Sequence, residues 1–164
     1  MKRVNTEKES LPDPKSYALY LLSRRDYSVG QIRRKLKNRG YEEEIITPLF
    51  KKLVADNFLD DRRFARLSIE ALLRRKPAGK AYIVAYLRTK FIDRELAIEL
   101  VDGILAFKDE GEMAEQLLRP RWRYFCKFGV ESSRRKVYNY LSRRSIGYEA
   151  AKSAFEKLLK EEND

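Results

Sequence analysis

The side chains of this sequence that could do chemistry are its cations, and the chemistry they suit is the binding of anions. They recur in short groups: Arg24-Arg25, Arg33-Arg34 with Lys37, Arg74-Arg75-Lys76, Arg121 and Arg123 flanking Trp122, Arg135-Lys136, and Arg143-Arg144. Bond-making chemistry is poorly provided for. The chain has no histidine, so it lacks a histidine general base and any Ser-His-Asp or Cys-His arrangement. Its one cysteine, Cys126, follows Tyr124-Phe125 with nothing to activate it and reads as packing. Asp60-Asp61 pairs two carboxylates, but at a helix start, where capping accounts for Asp60. Neither a Walker A run nor a dinucleotide glycine motif is present. We expect no enzyme, no metal and no cofactor.

The elements that must position these cations are helices. Apolar residues recur at three and four: Ile32 and Leu36, Ile83 and Leu87, Leu96, Leu100 and Ile104, Val137 and Leu141. Strict two-residue alternation is absent, and seven Gly with five Pro in 164 residues are few for an all-β fold. Ser28 with Gln31 has the form of a capping box, and Asp60 and Asp93 sit where N-caps belong. Moving residues 21–53 forward by 51 places Leu21, Leu22, Arg24, Leu36, Glu44 and Leu49 on Leu72, Leu73, Arg75, Leu87, Glu95 and Leu100. A further shift of 54 brings Val137, Leu141, Ile146, Phe155 and Leu158 onto the same template.

Each copy reads as three helices: 14–25, 28–39 and 42–55; then 61–75, 78–91 and 93–107; then 110–125, 131–144 and 148–161. Pro48 should break its helix or begin it with Thr47 as cap, and Pro120 should kink the helix that opens the third copy. The expected fold is all-α: a tandem repeat of three three-helix units stacked into an elongated, curved array. Its parts are a mobile tail over 1–14 and repeats over 15–59, 60–108 and 109–164.

Charge follows the repeat. The chain carries 36 basic and 25 acidic residues, net +11. Segment 23–39 is +6, 40–61 is −4, 62–90 is +8, 93–115 is −6 and 119–145 is +8. The first two helices of the first two copies are thus basic and the third acidic, and the middle helix of the third copy is basic again. A wheel with Ile32 and Leu36 inward turns Arg33, Arg34 and Lys37 outward, and one with Val137 and Leu141 inward turns Arg135, Lys136 and Arg143 outward. A single Arg pair at a helix end reads first as a complement to the helix dipole. Repeated and segregated by sign, the cations read as a partner-binding stripe, because solubility alone would intersperse the signs. Trp122 admits two readings, base stacking within that stripe or an anchor between repeats. The tyrosines one turn apart, Tyr17 with Tyr20 and Tyr82 with Tyr86, read as packing. The opening residues hold no apolar stretch, and no run is long enough to cross a membrane. With a lone cysteine, a soluble protein of the reducing cytoplasm is expected, and the ready-made repeat array argues for a monomer.

The run Phe58-Leu59-Asp60-Asp61-Arg62-Arg63-Phe64-Ala65 resembles the signature joining the first two repeats of RecX regulatory proteins. Leu21-Leu22-Ser23-Arg24-Arg25, then Ser28, Arg34, Leu36 and Arg39-Gly40-Tyr41, is similar to that family's first repeat. The third copy departs most, with Pro120, Trp122 and no glycine matching Gly40. The resemblance implies a modulator of the RecA recombinase that lies in the groove of the nucleoprotein filament and inhibits ATP hydrolysis and strand exchange. It also allows direct contact with single- or double-stranded DNA. The alternative from another class is an independent, largely non-sequence-specific DNA-binding protein, since Arg and Lys dominate the exposed faces and suit phosphates better than base edges.

Overall fold

The computed structural model describes residues 12–163, and among them every regular element is helical, as expected. The expected mobile tail falls outside the described residues except at its end. There Asp13 accepts the Ser16 N–H at 2.8 Å and Pro14 takes the first helical position, where its missing N–H costs nothing. The chain divides into two compact units, residues 1–61 and 62–164.

The first unit holds α1 (Pro14–Arg24), α2 (Val29–Asn38) and α3 (Glu43–Ala55). Its core is built from Ala18, Leu21, Ile32, Leu36, Ile46, Phe50, Leu53 and Leu59, with Tyr27 and Tyr41 closing it. The capping box at Ser28 forms in full: Ser28 Oγ accepts the Gln31 N–H at 3.1 Å, and Gln31 Oε1 accepts the Ser28 N–H at 3.2 Å. The expected break at Pro48 does not occur, and α3 runs through it. Pro48 and Glu44, whose carbonyl loses its partner, are both exposed, so water can take the orphaned oxygen.

The second unit begins with α4 (Asp61–Arg75), whose first residue lies at the boundary. It continues through α5 (Lys80–Thr89), α6 (Arg94–Leu105), α7 (Glu110–Leu118), α8 (Trp122–Phe125), α9 (Val130–Ser142) and α10 (Tyr148–Asn163). The long opening helix expected for the third copy is broken into pieces. A 3-10 turn at Arg119–Arg121 carries Pro120, and a second at Cys126–Phe128 leads to Gly129 at φ 71°. Two clusters of buried side chains fill this unit. One gathers Ala65, Ile69, Ile83, Leu87, Ile92 and Val101, the other Leu118, Trp122, Val137, Leu141 and Phe155.

The repeat is written into the turn after each middle helix. Tyr41, Ile92 and Ile146 are buried at matching places, and their N–H groups bond to Leu36, Leu87 and Leu141 carbonyls, each at 3.2 Å. The residue just before each is left-handed: Gly40 (φ 92°), Phe91 (62°) and Ser145 (57°). That is the Schellman closure, which satisfies the last carbonyls of a helix and drives an apolar side chain back onto it. Among the described residues no helix is long and apolar enough to cross a membrane.

Candidate partner-binding surface

In the first unit the cations are largely spoken for. Arg24 and Arg25, at the end of α1, are exposed, and the Arg25 guanidinium lies 4.3 Å from the ring centre of Tyr27. On α2, Lys37 pairs with Glu43 at 2.7 Å, and Arg33 pairs with the same carboxylate while lying 5.1 Å from the centre of the Phe50 ring. Sequence patterning turned Arg33 and Lys37 outward but could not show that the acidic first turn of α3 meets them there. Two of the expected contact cations are thereby half-neutralised within the fold. Arg34 is exposed beside them.

The second unit presents a different arrangement. Arg74, Arg75 and Lys76 end α4 and are all exposed, and none forms an ion pair among the described residues. Pro77 follows and stops the helix. Arg121 ends the 3-10 turn that carries Pro120 and lies over Tyr140 of α9, 5.3 Å from its ring centre. Arg75, Lys76 and Arg121 then share one cavity of about 490 Å³ with Pro77, Gln116, Leu117, Pro120 and Tyr140. Three expected site residues, drawn from the second and third copies, are brought together here.

The other expected residues scatter. Arg144 lies 5.0 Å from the ring centre of Tyr82, and its carbonyl accepts the Gly79 N–H at 2.8 Å, so it joins elements of the unit instead of standing free. Arg143 and Arg135 are exposed without ion pairs among the described residues, and Lys136 is half-buried. Arg123 lines a separate cavity of about 240 Å³ with Arg119, Trp122, Leu158, Glu161 and Glu162. Trp122 corrects the expectation that placed it in a binding stripe. It is only 7% exposed and meets Phe155 edge to face at 5.6 Å between ring centres, so it anchors the core of the third copy and offers no face to a base. Trp122 continues the buried series Ala114, Leu118 and Phe125 at three- and four-residue spacing, while Arg121 stays out.

Two groups were missed from sequence. Tyr140 carried no signal apart from its place on α9, because its contact with Arg121 joins two separate elements. Arg119 forms a bidentate pair with Glu161 and a further bond to Glu115, which Lys157 also holds at 2.7 Å. These cations hold the Glu115 and Glu161 carboxyls below their usual range. Burial pushes the Cys126 thiol up. Among the described residues no group of His, Cys, Asp and Glu could hold a metal ion.

Comparison with known proteins bears on what the surface meets. Residues 15–53 match the family model described as RecX, first three-helix domain. A regulatory protein RecX of Syntrophotalea carbinolica is 32% identical over 135 residues, covering 82% of this chain and 88% of that protein. One from Pelodictyon phaeoclathratiforme is 30% identical over 148 residues, covering 90% of each. A crystal structure of regulatory protein RecX superposes with a TM-score of 0.76 at 22% identity, over 87% of this chain and 71% of that one. The crystal structure of RecX from Lactobacillus salivarius also gives 0.76, at 18% identity, over 88% and 94%. At those identities the two structures speak for the fold.

Proposed function

The chain belongs to the RecX family of regulatory proteins, and from that premise we propose that it binds the RecA recombinase filament on DNA and inhibits its ATPase and strand-exchange activities. The observation that carries this is the length of the match: similarity to proteins named for regulation spans nine-tenths of the chain and of the relative, beyond the first repeat. The physical chemistry of the surface agrees. A filament offers acidic protein patches and a phosphate backbone, and Arg74, Arg75, Lys76, Arg135 and Arg143 are exposed cations with no internal ion pair among the described residues. In this reading the protein acts in the cytoplasm as a monomer, and takes part in recombination, DNA repair and the SOS response by restraining the filament.

The test is the DNA-dependent ATPase rate of the recombinase from the same organism, titrated with this protein while DNA is in excess. Inhibition well below one regulator per recombinase subunit is expected. Absence of inhibition, with salt-sensitive binding to bare DNA, would replace this reading with that of an independent DNA-binding protein.

A further inference from the structure

Phe107 is the most exposed large apolar side chain among the described residues, at 94%. Its backbone is fixed on both sides. At the end of α6 the Lys108 N–H donates to the Leu105 carbonyl at 3.0 Å, and at the start of α7 Asp109 accepts the Glu112 N–H at 2.7 Å. Folding gains nothing from a ring held in water. Beside it two clefts, of about 160 and about 510 Å³, meet at Leu73 and Lys108. Pro77 and Met113 line the smaller one with Phe107, and Ile104 lines the larger. An aromatic knob thus stands next to an apolar hollow.

Charge decides what can cover this face. Its rim carries Arg74 and Lys108 against Glu70, Asp109 and Glu112, so both signs are present in near balance. A polyanion would meet the carboxylates, and a partner of either single sign would meet like charge. A chain of net +11 repels its own copy over most of its surface, and most of all at the groove of Arg75, Lys76 and Arg121, which has no carboxylate. The cleft at Arg119 is balanced too, but Arg119 is already held by Glu115 and Glu161, and no exposed apolar side chain lines it. At Phe107 a mixed rim surrounds both a knob and a hollow. That is the self-complementary pattern a two-fold contact requires.

We propose that this face pairs with the same face of a second copy of the chain, each Phe107 entering the hollow at Leu73 and Ile104 of the other. Arg74 and Lys108 of one copy then meet carboxylates of the other around the rim. The two clefts offer fewer residues than the about 20–30 a side of a standard interface, so the dimer is weak and forms only as concentration rises. The monomer remains the form that acts. Because Arg74 is taken into the contact, pairing withdraws one of the cations offered to a partner; that consequence, unlike the dimer itself, rests on the function proposed above.

The experiment is sedimentation velocity of the full chain alone, from low to high micromolar concentration. The average mass should rise from 19.4 kDa toward twice that value. Phe107→Ser should stay a monomer throughout, with Kd raised roughly tenfold or more, because a two-fold contact loses the ring at two places. A ring so exposed supports no core, and thermal melts by circular dichroism check that the variant folds. Arg74→Glu should weaken pairing by about fivefold. Arg75→Glu makes the same charge change one residue on, outside both clefts, and should not weaken it. Added salt should leave wild-type pairing intact or strengthen it, since screening relieves the repulsion between two chains of net +11 and spares the apolar contact. A monomer at every concentration would overturn the proposal. So would a dimer that Phe107→Ser leaves intact, or one that Arg74→Glu and Arg75→Glu weaken equally. A dimer that dissolves as salt rises would assign the contact to basic helices of one copy on acidic helices of the other, and would overturn this face as well. Neither recombinase nor DNA is present, so loss of the filament role would leave the result standing, and the reverse.

Discussion

Ser28 and Gly79 occupy the same place in the repeat, the N-cap of the middle helix, and satisfy it in opposite ways. In the first copy Ser28 and Gln31 close a box on each other, and the next amide, Val29 N–H, donates to Asp61 at 2.8 Å. In the second copy Gly79 makes no side-chain cap. Its N–H instead donates to the Arg144 carbonyl, and the backbone of Ser145 packs so close that a methyl on Gly79 would lie 1.8 Å from the Ser145 oxygen. The pattern returns one helix later. Asp93 caps α6 with its own carboxylate, whereas the aligned Gly147 gives its N–H to Glu110 of α7 at 2.9 Å. An orphaned helix N–H can be met by the residue's own side chain or by a neighbouring element, and glycine marks the places where a neighbour has come in. Ser145, the residue that approaches, is itself left-handed at φ 57°.

Exchanging the two residues should break the comparison most sharply. Gly79→Ser supplies a good capping type and Gly79→Ala a neutral one, yet both should lose about 1–3 kcal/mol in urea denaturation, since any β-carbon meets the Ser145 backbone. Recovery of stability in Gly79→Ser would show that the close approach is dispensable. At the matching position Ser28→Ala should cost about 1 kcal/mol and Ser28→Gly only a few tenths, measured the same way.

Asp61 comes next. Asp61→Ala removes the acceptor for Val29 N–H and should cost about 1 kcal/mol, whereas Asp61→Asn keeps a carbonyl oxygen there and should be close to neutral. The smallest effect separates the two aspartates by sign. Burial raises the Asp61 pKa above 3.8, so the stability it lends belongs to acid and is lost as pH rises through the folded value. Backbone N–H groups of Leu96 and Glu95 lower that of Asp93, so its contribution is present above 3.8 and lost as pH falls through the folded value. Stability of wild type relative to Asp61→Asn and to Asp93→Asn should therefore move in opposite directions between neutral and acid pH. Parallel curves would refute the assignment.

Most helices and much of the core were legible because they are local or periodic. Ile32 with Leu36, Ile83 with Leu87 and Val137 with Leu141 are all fully buried, as three-and-four spacing requires. The capping box at Ser28 is a four-residue affair and could be read directly. Pro48 misled because proline's cost depends on whether water reaches the carbonyl it orphans, which is a matter of exposure. Trp122 misled because its arginine neighbours drew it into the stripe, although it follows Ala114 and Leu118 at four-residue intervals on the buried face. The pairing of Arg33 and Lys37 with Glu43, and of Arg121 with Tyr140, joins residues on different helices, where spacing along the chain carries no information.

From its sequence alone this protein is an all-α repeat with cations at recurrent helix ends, because hydrophobic period, capping chemistry and charge are properties of a few neighbouring residues. Tertiary structure alone decided which of those cations are available. Arg33 and Lys37 are paired on Glu43, Arg144 is drawn into the join with Gly79, and Arg75, Lys76 and Arg121 are gathered around one groove. The reason is electrostatic and short-ranged: a charge's partner is whatever lies within a few ångströms, and only the folded chain brings residues of different elements to that distance.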